Sequence, residues 1–205
     1  MMKIKVYADT ICGWCFIGQT NLEKALEDFK DKKIEVEHMP FQLNPDMPED
    51  GILRSDYLNI KFGGKEFAAP MYASMTQKAK EIGLSFNLEK INKTPNTVLS
   101  HLLILLAKEY GKENDIKKDI YTRYFISGED IGDSEVLIKL AERNNISKEN
   151  FINYISKNSQ IISSYQKTAN EKNISGVPFF EIENQYVSGA QSSEYLRNFI
   201  KENLN

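Results

Sequence analysis

Cysteine is almost absent from this chain: among 205 residues, only Cys12 and Cys15 carry a thiol. A disulfide-stapled secreted scaffold is thereby excluded, because such domains rely on several pairs. Histidine is equally scarce. The two histidines, His38 and His101, lack zinc-finger spacing, and a structural zinc site wants four ligands, so no metal is expected. Long apolar runs are missing too. The longest, residues 102–107, has the length of a core-helix segment and falls far short of the ~18 residues that a membrane span requires. Charge of one sign is not in excess. The net charge is −3 and the lysines are scattered, which argues against a nucleic-acid surface. The N-terminus enters strand-like sequence at once, with no apolar signal stretch and no A-x-A site, so an exported precursor is not expected.

The chain does hold a core. A hydrophobic fraction of 41% and eleven phenylalanines are enough for one domain, or for a small domain carrying an insertion. It also holds one motif. Placed at random, two cysteines would fall three apart about one time in a hundred, so Cys12-Gly13-Trp14-Cys15 is unlikely to be an accident. An apolar-polar run over residues 4–8 leads into it as a strand. Leu22, Ala25, Leu26 and Phe29, on one helical stripe, lead out of it. Both thiols therefore belong to the first turn of a helix. The free N–H groups and positive dipole end there favour an anion, which makes such a thiol more acidic than a free cysteine, and the thiolate is the nucleophile. On this reading Cys12 is the exposed, attacking thiol and Cys15, one turn later, its buried partner. The spacing permits a disulfide, a dithiol, or a mixed disulfide at Cys12 resolved by Cys15. Buried structural cysteines, a metal site and a purely structural disulfide are the competing readings. The last would stabilise little, because its loop is so short. A chain whose only cysteines share one motif fits the reducing cytoplasm, where such pairs tend to be catalytic.

Taken in order, residues 3–9 read as a strand, 13–30 as a helix and 34–41 as a second strand. A unit of this kind implies a parallel pair with a right-handed crossover. Its carboxyl edge, where open α/β sheets place their chemistry, carries the C-x-x-C. Residues 42–51 are proline-rich and irregular and mark a boundary. The next hundred residues or so are helical in pattern. Residues 67–82 carry Met71, Met75, Ala79 and Ile82 on one face. Thr94 and Pro95 read as the N-cap and first position of a helix that is apolar almost all round and ends before Gly111, which places it at the centre of the helical part. Helices follow over 115–126, 134–144, 147–155 and 159–173. Residues 176–182 and 186–188 form a hairpin, and 193–202 a last helix. The two ends read as halves of one small sheet domain, residues 1–48 and 174–205, with a helical domain, 49–173, inserted between them.

This arrangement resembles the DsbA family, a thioredoxin-like α/β fold with a large all-helical insertion domain. It is closest to the FrnE-like subgroup of intracellular members. The residues that carry the resemblance are Asp9-Thr10-Ile11-Cys12-Gly13-Trp14-Cys15-Phe16-Ile17-Gly18, Phe41-Gln42-Leu43-Asn44-Pro45-Asp46-Met47-Pro48, Asn96-Thr97 with His101, Asp130-Ile131-Gly132-Asp133, Gly176-Val177-Pro178-Phe179-Phe180 and Ser188-Gly189-Ala190-Gln191. They span nearly the whole chain. The resemblance implies a cytoplasmic thiol-disulfide oxidoreductase that acts on protein or small thiol and disulfide substrates. It needs no bound cofactor, and glutathione is a candidate redox partner. It also implies a cis bond before Pro178, facing the cysteines, with Val177 turned outward to pair with a substrate strand beside Cys12.

Two departures matter. The subgroup often has proline where Gly13 stands, so the motif turn is less rigid here. The exported DsbA oxidants usually carry histidine where Trp14 stands. Trp14 cannot supply that charge to a thiolate, so a less oxidising pair is expected. Gly13 and Trp14 are expected on the substrate surface, the alternative for Trp14 being a ring packed inward. His101 is the candidate to face the thiols from the helical part, against the alternative of a core histidine. Met71 and Met75 suit core packing better than a substrate groove, and His38 is given no role. Two other function classes stay open: a glutathione-dependent isomerase or transferase of the 2-hydroxychromene-2-carboxylate isomerase and kappa-class kind, and a binding protein with a redox switch. The sequence leaves the oligomeric state undetermined.

Overall fold

Alternation of Ile4, Val6 and Ala8 with Lys5 and Tyr7 gives the period-two pattern of a strand. In the computed structural model, which describes residues 1–204, this stretch is β1 (Met2–Ala8). There follow α1 (Gly13–Leu26), β2 (Ile34–Pro40), the short β3 (Ile52–Leu53), α2 (Arg54–Phe62), α3 (Lys65–Glu81) and the short β4 (Lys93–Thr94). The chain continues with α4 (Val98–Glu109), α5 (Glu113–Thr122), α6 (Ser134–Arg143), α7 (Lys148–Asn158) and α8 (Ile161–Glu171). It ends with β5 (Phe179–Ile182), β6 (Gln185–Ser188) and α9 (Ser193–Asn203).

Contacts divide the chain into two units, Met1–Leu43 with the chain from Ser163 onward, and Asn44–Ile162. Both divisions fall earlier than the boundaries read from the sequence at 48/49 and 173/174. The first moves because Met47 is buried with Tyr57, Leu58 and Ala68 of the second unit, and the second because α8 packs on the sheet. Ala169 and Ile174 share a buried cluster with Tyr7, Met39 and Phe41, and the Gln42 N–H donates to Gln166 Oε1 at 2.8 Å.

In the first unit the sheet order is β2-β1-β5-β6. β1 and β2 are parallel, with Met2 opposite Ile34 and Ala8 opposite Pro40, as a strand-helix-strand crossover requires. β5 lies antiparallel to β1, with Tyr7 opposite Phe179, and the hairpin continues to β6. Lys5, Tyr7, Met39 and Phe179 share the face on α8. Ile4, Val6, Phe180 and Ile182 share the other, where α1 lies and α9 packs against it. Leu22, Leu196 and Ile200 are wholly buried. Each such side chain contributes about 1.5–3 kcal/mol of transfer free energy.

The second unit is mainly helical. α4, apolar almost all round, is buried continuously from Ser100 to Ala107 and packs against α5, α6 and α7. Its start differs from the sequence expectation. Thr94 is not a cap, because Lys93–Thr94 pairs antiparallel with Ile52–Leu53 in a ribbon that the helical pattern did not reveal. The helix begins at Val98, whose N–H donates to Asn96 Oδ1 at 2.9 Å. Met71 also departs from its expected place. It is 38% exposed, because the buried stripe of α3 runs through Ala68, Met75 and Ala79.

Candidate active site

The site grows from the end of β1. The Cys12 N–H donates to the Asp9 carbonyl at 3.1 Å, which turns the strand into α1. Cys12 is the N-cap, its backbone extended at φ −94° and ψ 106°. Its Sγ accepts the Cys15 N–H at 3.1 Å, in the place where a serine or aspartate oxygen usually sits. No acidic side chain occupies the first turn of α1. The free N–H groups and positive end of the helix therefore face the sulfur with no acidic competitor in that turn, an arrangement that favours an anion.

Both cysteines carry free thiols, and both are buried, Cys12 at 6% exposure and Cys15 at 1%. The exposed Cys12 expected from the sequence is thus corrected. Its sulfur is capped on one side by the Cys15 N–H and lies 3.7 Å from the Val177 carbonyl, toward which the S–H points. Burial pushes the Cys15 thiol well above the ordinary range. A hydrogen bond with Cys12 and the Cys12 charge push it further, and a backbone hydrogen bond at Asp9 acts in the opposite sense.

The other wall is the loop before β5. The Val177–Pro178 peptide bond is cis. Pro178 is buried and Val177 half-buried. The Pro178 carbonyl accepts the Gly189 N–H at 2.8 Å, and the Asn21 side chain on α1 donates to the Gln191 carbonyl at 2.8 Å. Pro178 is thus tied to the residue that follows the hairpin, and the same segment after β6 is tied to the motif helix.

Of the remaining residues singled out from the sequence, Gly13 is buried at the start of α1 and Trp14 is half-buried. His101 is fully buried in the first turn of α4, in the second unit. His38 is buried on β2. Three participants were given no role from the sequence, although Asp9 and Gly18 bound the motif run. Asp9 is fully buried, and its Oδ2 accepts the Leu43 N–H at 2.7 Å. A carboxylate closing an apolar strand was the available signal. Gly18, which faces Pro178, and Asn21 left no such signal. Among the described residues, no group of three or more His, Cys, Asp and Glu side chains is arranged to hold a metal ion.

The uncharacterized protein YwbO of Bacillus subtilis (strain 168) is 28% identical over 206 residues, covering 98% of this chain and 96% of that one. A probable DsbA oxidoreductase from Streptomyces coelicolor matches with a TM-score of 0.88 at 26% identity, over 99% of this chain and 90% of the other. The cytosolic disulfide reductase DsbM from Pseudomonas aeruginosa matches with a TM-score of 0.68 at 16% identity, over 98% of both chains, a likeness of fold. The model of the DSBA-like thioredoxin domain matches residues 3–201, and the chain belongs to that family.

Proposed function

We propose that this protein is a cytoplasmic thiol-disulfide oxidoreductase of the FrnE-like kind, with Cys12 as the nucleophile and Cys15 as the resolving thiol. The observation that carries the reading is the capping geometry. The Cys12 sulfur takes a hydrogen bond from the Cys15 N–H at the positive end of α1, while the Cys15 sulfur, three residues on, is held in its protonated form.

In the reducing direction, Cys12 thiolate attacks one sulfur of a substrate disulfide. A bond forms between Cys12 Sγ and that sulfur, the substrate S–S bond breaks, and the other substrate sulfur leaves as a thiolate and takes up a proton. Cys15 then loses its proton and attacks Cys12 Sγ. The mixed disulfide breaks, and the second substrate thiolate leaves. Two electrons pass from the dithiol to the substrate, and the Cys12–Cys15 disulfide is returned to the dithiol by another thiol system. Two of the influences that keep Cys15 protonated come from Cys12 itself, its hydrogen bond and its charge. Forming the mixed disulfide removes them, so Cys15 becomes easier to deprotonate when it is needed.

The substrate lies as an extended strand along Val177, beside Gly13 and Trp14, with Pro178 as the neutral wall. Glutathione is the proposed small redox partner. The likeness to a cytosolic disulfide reductase, one of whose structures holds GSH, supports that choice and the location. His101, fully buried in the second unit, has no role in this reading.

The test is trapping. Cys15→Ser is expected to accumulate substrates as mixed disulfides on Cys12, resolvable by mass spectrometry after non-reducing separation. Cys12→Ser is expected to trap none. Equal trapping by the two variants overturns the assignment of roles. Turnover of a small aromatic substrate with glutathione that survives in Cys15→Ser overturns the redox reading in favour of an isomerase or transferase.

A further inference from the structure

We propose that the second unit holds a binding site for a small amphipathic anion, an acyl carboxylate whose head sits on Arg54 and whose apolar chain lies in the hollow between α2, α3 and residues 86–92. This site is separate from the thiol chemistry.

The hollow has a volume of about 1050 Å³ and is lined within this unit alone. Its origin is sequence. α3 turns Ala69, Ala73 and Thr76 toward it, small side chains spaced along one helical face, so the helix leaves space where larger residues would fill it. Leu53, Leu58, Phe86, Leu88 and Ile91 supply apolar walls, and Leu53 is 62% exposed. A hollow of this size that sets apolar walls beside polar and charged side chains has the form of a small-molecule site.

Arg54 supplies the chemistry. Its Nη1 donates to Thr94 Oγ1 at 3.1 Å and its Nη2 to the Tyr72 hydroxyl at 2.8 Å. Its Cζ lies 5.2 Å from the ring centres of both Tyr57 and Tyr72. The guanidinium is thus held in one place, yet no carboxylate among the described residues pairs with it. A guanidinium has about five N–H donors, and these contacts use only a pair of them, leaving a fork for a planar acceptor. The other charges on the lining agree. Lys65 is paired with Glu89 at 3.0 Å, and Lys80 adds positive charge. A half-buried cation with no counter-ion among the described residues, set beside unfilled apolar space, calls for a ligand that supplies both an anion and a chain.

The probe is dodecanoate, titrated into the full-length protein by calorimetry below its micellar range and under reducing conditions, so that the readout does not involve the thiols. Saturable binding is expected. Dodecan-1-ol, which has the chain without the charge, and the Arg54→Met variant are each expected to bind at least about tenfold more weakly. Arg54 also braces Tyr72 and Thr94, so a second variant keeps the test decisive if Arg54→Met does not fold. Ala73→Phe, at an exposed position of α3, fills the hollow without touching Arg54 and is expected to abolish binding. Absence of saturable binding, equal affinity for acid and alcohol, or undiminished binding to Ala73→Phe each overturns the proposal.

Discussion

Gly18 on α1 faces the ring of Pro178 so closely that a methyl group on its α-carbon would lie 2.9 Å from Pro178 Cγ and 3.2 Å from Phe180 Cζ. The motif helix and the proline loop therefore meet with no room for a side chain. Gly18→Ala is expected to lower stability by about 1–3 kcal/mol, the usual range for overpacking, and to slow disulfide exchange by moving Pro178 away from Cys12. Gly176 provides the control, since nothing lies within 4 Å of a Cβ built there. Gly176→Ala is expected to change stability by less than about 0.5 kcal/mol. Urea denaturation of both variants checks the contrast, and equal effects would remove the argument from close approach.

Trp14, the only tryptophan, sits between the two thiols in sequence and reports their state. In a glutathione redox series its fluorescence is expected to follow one two-electron transition, with a potential between about −180 and −270 mV. The basis is the absence of a cationic residue between Cys12 and Cys15. A midpoint near about −120 mV, as in a strong oxidant, would contradict it.

Replacing Cys12 also tests how the two thiols are linked. The Cys15 thiol is raised first by burial and then by its hydrogen bond with Cys12 and by the Cys12 charge. In Cys12→Ser the charge is gone while the burial persists. The pH at which Cys15 is half-alkylated by iodoacetamide is expected to fall relative to wild type but to stay above that of a free cysteine. An unchanged profile would show that burial alone governs Cys15.

Glu181 carries a buried network on the sheet face opposite α1. It accepts from Lys5 Nζ at 3.0 Å and the Tyr7 hydroxyl at 3.1 Å, and it pairs with Lys172. Burial alone would raise its carboxyl. The hydrogen bonds from Lys172, Lys5 and Tyr7 outweigh burial and hold it below the ordinary carboxylate range. Because the folded value is depressed, the stabilisation is present above the ordinary value of about 4.3 and is lost as pH falls through the folded value. Glu181→Gln is expected to cost about 2 kcal/mol at neutral pH, a moderate value because both lysines keep access to water. The gap between variant and wild type is expected to close in acid, below about pH 4. A gap that persists there, measured by urea denaturation, would show that the carboxylate charge is not what stabilises the network.

Much of this was legible in the chain itself. Residues 2–8 are a strand and 13–26 a helix because apolar side chains recur at the periods those structures need, and Cys12 and Cys15 therefore had to meet at a helix start. The all-round apolar pattern of residues 98–109 placed that helix at the centre of its unit. What failed were local signals with a distant competitor. Thr94-Pro95 has the chemistry of a helix start, yet pairing with Ile52 and Leu53 claims that backbone instead.

The sequence by itself determined the strands of the main sheet, most of the helices and the pair of thiols at a helix N-terminus, because those follow from periodicity and from neighbours a few residues apart. Only the tertiary structure decided that Cys12 is buried against Val177, that Gly18 meets Pro178, that Glu181 gathers Lys5 and Tyr7 across more than 170 positions of chain, and that Arg54 stands beside a hollow with no carboxylate partner among the described residues. Each of these depends on residues that folding alone brings within a few ångströms, and the burial that sets their energetics does not exist until the layers have packed.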